Sequence, residues 1–286
     1  TALLTIVAGN DHKLRLYLKH AKDLGIQLKT VDIHQSQRFF SIEGNSIRVG
    51  MESIKDVGST AVDEILRERN ANGEFEDLYD FAKRVSSKVN KRNLMRLISV
   101  GAFDKFGSRK GQLKVFEKIM ERAQKDKEAE KQSQMALFSN DTIQTLGKVE
   151  IPELEDDLEE MLTNEREYLG YYISGHPLEK YQDKLPRRKI LDLPEKERPI
   201  EIGGIITEVS EIMTKNNNPM AFLEIEDLES TITIIVFPDT YEKYMGSIEE
   251  GRIIRVKGKI TLDEYDKKNE DGEVEIEIVK KIIANR

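Results

Sequence analysis

The chain has 286 residues, of which 38% are apolar and 34% charged, and its formal net charge is −8. That length suits about two domains of ordinary size, at ~150 residues each. The absence of cysteine excludes disulfides, iron–sulfur clusters, thiolate catalysis and Cys-type zinc sites, and it points to a reducing compartment. His12, His20, His34 and His176 are too scattered to form a metal motif. No apolar run approaches the ~20 residues of a membrane span, and no secretory signal is visible. The start, Thr1-Ala2-Leu3-Leu4 with no initiator Met, reads as a piece of a longer chain.

The elements can be taken in chain order. Asp11 to Leu24 reads as a helix with Leu14, Leu18 and Ala21 on one stripe, closed by Gly25. Ile26–Val31, Arg38–Ile42 and Ile47–Val49 read as short strands, the last two joined by a Glu43-Gly44-Asn45 turn. From Gly50 the period is helical: Met51–Ile54, Ala61–Arg69, Phe75–Arg84, Asn90–Val100 and Ser108 to about Lys127. All seven prolines lie beyond residue 151. Because proline breaks helix interiors, the first half can be mostly helical and the second cannot.

Two of the helix junctions look alike. Val57-Gly58-Ser59-Thr60-Ala61 and Val100-Gly101-Ala102-Phe103, the latter leading to Ser108, each place a glycine at a bend between helices. A glycine at φ > 0 lets consecutive backbone N–H groups converge, and the helix that follows adds its unsatisfied amides and positive dipole end. Thr60 and Asp63 have capping-box spacing, which predicts the start of the helix there. Two such nests would hold adjacent phosphates without reading bases. Charge supports this reading, since Phe81–Lys114 carries ten basic residues against one acid, Asp104. The candidate contacts are Val57, Gly58, Ser59, Thr60, Lys88, Lys91, Arg92, Gly101, Ala102, Ser108, Arg109 and Lys110.

Residues 126–140 lose periodicity and read as a polar linker that contains one apolar island, Gln134-Met135-Ala136-Leu137-Phe138. Gln-x-x-Leu-Phe has the form of a short linear motif: an amide to orient and two large side chains to fill a pocket. Glu150–Glu167 follows, with nine acids against one base and an apolar stripe of Leu154, Leu158, Met161 and Leu162. It reads as a helix packed on its neighbour with the acids outward; a metal site needs carboxylates converging from different elements. From Pro199, strands at Ile200–Met213, Met220–Glu226, Thr231–Phe237, Arg252–Leu262 and Glu273–Ile283, with a helix at Pro238–Met245 after the third, give the element order of an OB barrel. Its charge of −8 between Ile200 and Arg286 allows nucleic acid only a local face, for which Phe222, Arg252, Arg255 and Lys257 are the candidates.

Several stretches resemble one family. Ile54-Lys55-Asp56-Val57-Gly58 with Ala61, and Asn90-Lys91-Arg92 leading to Gly101-Ala102-Phe103-Asp104, look like the tandem helix-hairpin-helix region of the bacterial replicative DNA polymerase III α subunit. Gln134–Phe138 is similar to that family's sliding-clamp-binding pentapeptide, and Glu165 through Leu178 resembles its Glu-(Lys/Arg)-Glu-x-Leu-Gly-x-Tyr-x-Ser-Gly-His-Pro-Leu segment. The resemblance covers nearly the whole chain. It departs at Thr60, where the family often has a second glycine.

The resemblance implies a multidomain α+β chain: the end of a fingers domain (1–46), tandem helix-hairpin-helix domain (47–125), linker with the clamp motif (126–145), helical connector (146–198) and five-stranded OB-fold barrel (199–286). It further implies a bacterial cytoplasmic protein whose partners are double-stranded DNA, the sliding clamp, single-stranded DNA and other replisome subunits, with no membrane. The polymerase carboxylates and their Mg2+ belong to an upstream palm domain, so the expectation here is no catalytic residue, no metal and no cofactor. The alternative is a protein–protein scaffold module of a replication complex in which DNA contact is incidental.

Overall fold

The computed structural model describes residues 1–7, 11–85, 87–135, 149–194, 196, 198–268 and 274–285. They fall into two units, Thr1–Gly175 and His176–Arg286. The boundary divides the expected connector, giving 149–175 to the first unit and 176–198 to the second.

The first unit opens with α1 (Ala2–Ile6) and α2 (Asp11–Asp23), then a small sheet of β1 (Gln27–Lys29), β2 (Ser41–Glu43) and β3 (Ser46–Arg48). The sheet order is β1-β3-β2, with β1 parallel and β2 antiparallel to β3. Four helices carry most of the core: α3 (Ser59–Asn72), α4 (Leu78–Val85), α5 (Lys91–Ser99) and α6 (Arg109–Met135). A fifth, α7 (Leu158–Leu169), follows. Val62, Ile65, Phe81, Leu94, Leu97, Ile98 and Ile119 supply the buried faces at helical spacing. Phe75, Phe81, Phe103 and Phe106 add a chain of ring contacts beneath the second bend, with centroids 4.8–6.1 Å apart.

Local chemistry sets the helix ends. The Asn90 side chain accepts from the Asn93 amide, and the Asn93 side chain accepts in turn from the Asn90 amide, starting α5. Asp157 accepts from the Glu159 amide at the start of α7, and Gly170 ends that helix in the left-handed region. Two expectations are corrected. The α3 helix starts at Ser59, with Gly58 as an N-cap that has no side-chain bond; Asp63 pairs with Arg38 instead of completing a Thr60 capping box. The stretch from 126 to 135, read as linker, is the end of α6. It holds no glycine or proline, it is rich in helix formers, and two cross-helix bonds tie it down: Tyr79 Oη donates to Asp126 at 2.5 Å, and Lys83 pairs with Glu130 at 2.5 Å.

The second unit is a closed barrel of β4 (Pro199–Met213), β5 (Pro219–Glu226), β6 (Thr231–Val236), β7 (Ile253–Lys268) and β8 (Val274–Ala284), in the order β4-β5-β6-β8-β7, with α8 (Pro238–Tyr244) after the third strand. Among the described residues of the barrel, β6 and β8 are the one parallel pair. Alternating residues fill the interior: Ile202, Leu223, Ile225, Ile234, Val256, Ile260 and Ile282. The first strand serves two neighbours, pairing with β7 over 199–205 and with β5 over 205–213. Gly204 lies near this handover because a Cβ there would stand 2.3 Å from Ile225 Cγ2 and 2.7 Å from the Glu226 carbonyl.

Candidate nucleic-acid interface

At the first hairpin the left-handed residue is Asp56, at φ 60°, while Gly58 is extended at φ −70°, ψ 159°. The bend is therefore one step earlier than the glycine suggested. Two side chains from α5 hold it. Asn93 Nδ2 donates to the Asp56 carbonyl at 3.0 Å, and Arg96 Nη1 reaches the Lys55 carbonyl at 2.5 Å and the Asp56 carboxylate at 2.5 Å. Arg92 approaches the same carboxylate at 3.4 Å. The Arg96 guanidinium, with Arg92 behind it, holds the Asp56 carboxyl below its ordinary value. The Lys55 amide donates to the Tyr168 carbonyl, and the Tyr168 ring lies under Arg96.

With Val57 buried as the anchor, Gly58, Ser59 and Thr60 sit in the open. Among the described residues no hydrogen bond is made by their three N–H groups, the first donors of the 14-residue α3. This is the geometry that receives an oxyanion.

The second hairpin differs. Gly101 is left-handed at φ 88°, as expected, but it and Ala102 are buried. The Gly101 amide donates to Ile98 and the Ala102 amide to Leu97, a double closure of the α5 C-terminus. The helix start downstream is also taken: the Arg109 and Lys110 amides donate to the two Asp156 carboxylate oxygens at 3.2 and 2.8 Å, and the Gly111 amide donates to Ser108 Oγ. The expectation of a second nest at Gly101 and Ala102 is thus corrected, because α5 has already consumed those amides.

Arg109 is a further correction. It is buried, its Nε and Nη2 on Asp104 at 3.0 Å and its Nη1 on Glu165 at 3.1 Å. Burial acts to lower the guanidinium, but the Asp104 and Glu165 carboxylates outweigh it and hold the group above its ordinary value. Glu165, 0% exposed, also accepts from Ser174 Oγ and from the Ile173 and Ser174 amides. Arg109 is therefore a core pin and is closed to a phosphate. Lys88, Lys91, Arg92 and Lys110 are exposed, and Lys91 is shared with Glu121 at 2.8 Å and Glu117 at 3.9 Å on α6.

The barrel candidates are not brought to one face. Phe222 on β5 lies between Ser210 of β4 and Ile235 of β6, while Arg255 on β7 is opposite Gly203. Seven residues of β4 separate the two positions, roughly 23 Å of strand. Arg255 and Lys257 both lean on Glu201, at 3.5 and 3.8 Å, and Arg252 pairs with Glu249. Beside Phe222 the outer surface carries Glu224, which faces Glu208 and accepts from Thr233. In the clamp motif, Gln134 and Met135 are the last residues of α6, and Ala136, Leu137 and Phe138 lie outside the described residues.

Among the described residues no three His, Asp or Glu side chains gather into a metal site, and no helix is long and apolar enough to cross a membrane. Three of the site's principal residues were not read from the sequence: Asp56 at the bend, Asp156 on the helix start, and Glu165 as the buried partner of Arg109. Asp56 and Glu165 stand inside the stretches that resemble the polymerase family, but neither carries a local signal of its role.

Residues 25–113 match a family model described as a helix-hairpin-helix motif, and residues 200–282 match one described as an OB-fold nucleic acid binding domain. The two matches together indicate a nucleic-acid-binding region. The chain is 35% identical over 274 residues to DNA polymerase III subunit alpha of Borreliella burgdorferi, covering 92% of this chain and 24% of that protein. It is 33% identical over 264 residues to that of Bacillus subtilis, covering 90% and 23%, and 35% identical over 260 residues to that of Aquifex aeolicus, covering 89% and 21%. It is thus similar to DNA polymerase III subunit alpha over about nine tenths of its own length and spans about a quarter of the length of these curated relatives.

Proposed function

We propose that this chain is the DNA-holding, non-catalytic part of a bacterial replicative polymerase, acting in the cytoplasm. The observation that carries the reading is the trio of free, exposed amides at Gly58, Ser59 and Thr60. They donate to one phosphate of duplex DNA regardless of sequence, with Lys88, Lys91, Arg92 and Lys110 supplying the longer-range attraction. Gln134–Phe138 docks on the sliding clamp. Joining two modest contacts through one chain raises effective concentration, typically 10²–10⁴-fold in avidity. Phe222, Arg252, Arg255 and Lys257 give the barrel separate weak contacts for single-stranded template. Nucleotidyl transfer and its Mg2+ belong to residues outside this chain.

The deciding experiment replaces Ser59 by proline. Ser59 is the first residue of α3 and follows an extended Gly58, a position that accepts proline readily. Ser59→Pro therefore removes one amide and leaves the fold and the charge intact. Duplex affinity is expected to fall about tenfold or more, the size of a hydrogen bond to a charged group. Unchanged affinity rejects the reading. The scaffold alternative is favoured by the closed second hairpin and the acids beside Phe222; it predicts negligible duplex binding at physiological salt and no effect of Lys91→Ala with Arg92→Ala.

A further inference from the structure

Asp56 occupies the one position of the first hairpin where a side chain is sterically unwelcome. At φ 60° glycine is accommodated freely, whereas Asp and Asn are tolerated through their short polar side chains. Its carboxylate is set between two guanidinium groups, at 2.5 Å from Arg96 and 3.4 Å from Arg92. Arg96 is buried, with a second bond to the Lys55 carbonyl and the Tyr168 ring beneath it. Arg92 is different: its side chain is 69% exposed, and among the described residues Asp56 is the acid it pairs with. The free amides of Gly58–Thr60 begin two residues further on. An incoming phosphate thus meets an acid at the rim of its own site, and the exposed Arg92 is already shared with that acid.

We infer that Asp56 sets the strength of this hairpin's grip on a phosphodiester backbone by competing with the phosphate for Arg92. The inference rests on the reading that the Gly58–Thr60 amides hold a phosphate. Three things follow from the geometry. The Asp56 carboxylate subtracts from the local positive potential without blocking the amides. It keeps Arg92 from being fully counted among the charges neutralised on DNA. It leaves Arg96, which supports the bend from inside, as a positioning residue. The hairpin is then a loose holder, suited to a duplex that has to move past it.

The test is a salt titration of the whole chain against a fluorescently labelled duplex, read by anisotropy, with thermal melts as the folding control. Asp56→Asn keeps the size of the side chain and its tolerance of the left-handed region and removes only the charge. It is expected to tighten duplex binding by roughly threefold, the size of one surface ion pair. It should also steepen the slope of log K against log salt by about 0.9, one more phosphate neutralised. Adding Arg92→Ala to Asp56→Asn should return the slope to that of the unmodified chain. Asp56→Gly, which removes the charge and the steric cost together with the Arg96 contact, is expected to act in the same direction, and affinities of both variants are compared at a temperature below the onset of either melt. If neither variant changes affinity or slope while Ser59→Pro still weakens binding, the hairpin reading stands and the role of Asp56 is wrong. If Ser59→Pro is also silent, both fall together.

Discussion

The two hairpins of the first unit carry nearly the same message in sequence and deliver opposite surfaces. In the first, α3 begins directly at the bend, and the amides of the exposed Gly58, Ser59 and Thr60 have no partner among the described residues. In the second, the left-handed Gly101 ends the helix before it, so its amides and those of Ala102 are returned to Ile98 and Leu97. The next α-helix starts eight residues after Gly101, and the Arg109 and Lys110 amides at its start are on Asp156. A glycine between two helices announces a turn; whether the turn presents donors depends on which helix claims them first. Depositing charge near a bend is likewise insufficient. Lys110 is exposed and its neighbour Arg109 is buried, because Glu165, 56 residues later, draws the Arg109 fork inward.

The contrast can be broken most severely at that pin. Glu165→Ala leaves the buried Arg109 short of a partner and orphans the Ile173 and Ser174 amides. Loss of about 3–5 kcal/mol is expected, the cost of stripping one member from a buried pair, and urea unfolding measures it; a loss below about 1 kcal/mol would show that the pin is idle. Next in size is Ser59→Pro at the open hairpin, with its tenfold drop in duplex affinity and unchanged melting temperature. Asp156→Ala sharpens the comparison from the other side. By releasing the Arg109 and Lys110 amides it should cost about 1 kcal/mol of stability, as the loss of a helix cap does. Duplex affinity should stay as it was; a clear gain would mean that the second hairpin is a closed copy of the first. The Asp56→Asn change in salt slope is smaller still.

The smallest effect concerns a segment away from both hairpins. Arg48, and then Lys29, hydrogen bond to Glu43 and lower its pKa from 4.5 to about 2. A carboxyl depressed in the folded state stabilises fully above its unfolded pKa and loses that contribution as pH falls toward the folded one. The Glu43 share should therefore vanish between about pH 4.5 and 2. Comparing acid unfolding of the chain with that of Glu43→Gln reads it, and parallel curves would remove the pairing from consideration.

Much of the architecture was legible because it rests on local rules. The proline distribution separated a helical part from a stranded part, and the period-two runs after Pro199 marked five strands in the right order. The Gly44 turn and the α8 start at Pro238 are written in adjacent residues. The reading failed where neighbours along the chain were not neighbours in space. Residues 126–135 looked like a linker, yet Tyr79 and Lys83 of α4 hold them in helix. Phe222 and Arg255 looked like one binding face, yet β4 turns from one partner strand to another between them.

By itself, then, the sequence determined the element types, the barrel order and the excess of cations around the hairpins, since propensity, patterning and charge are properties of short stretches. Only the tertiary structure decided which of those cations reach solvent and which bend keeps its amides free. Burial and hydrogen-bond saturation are settled by groups far away in the chain: Asn93 and Arg96 for the first hairpin, Asp156 and Glu165 for the second.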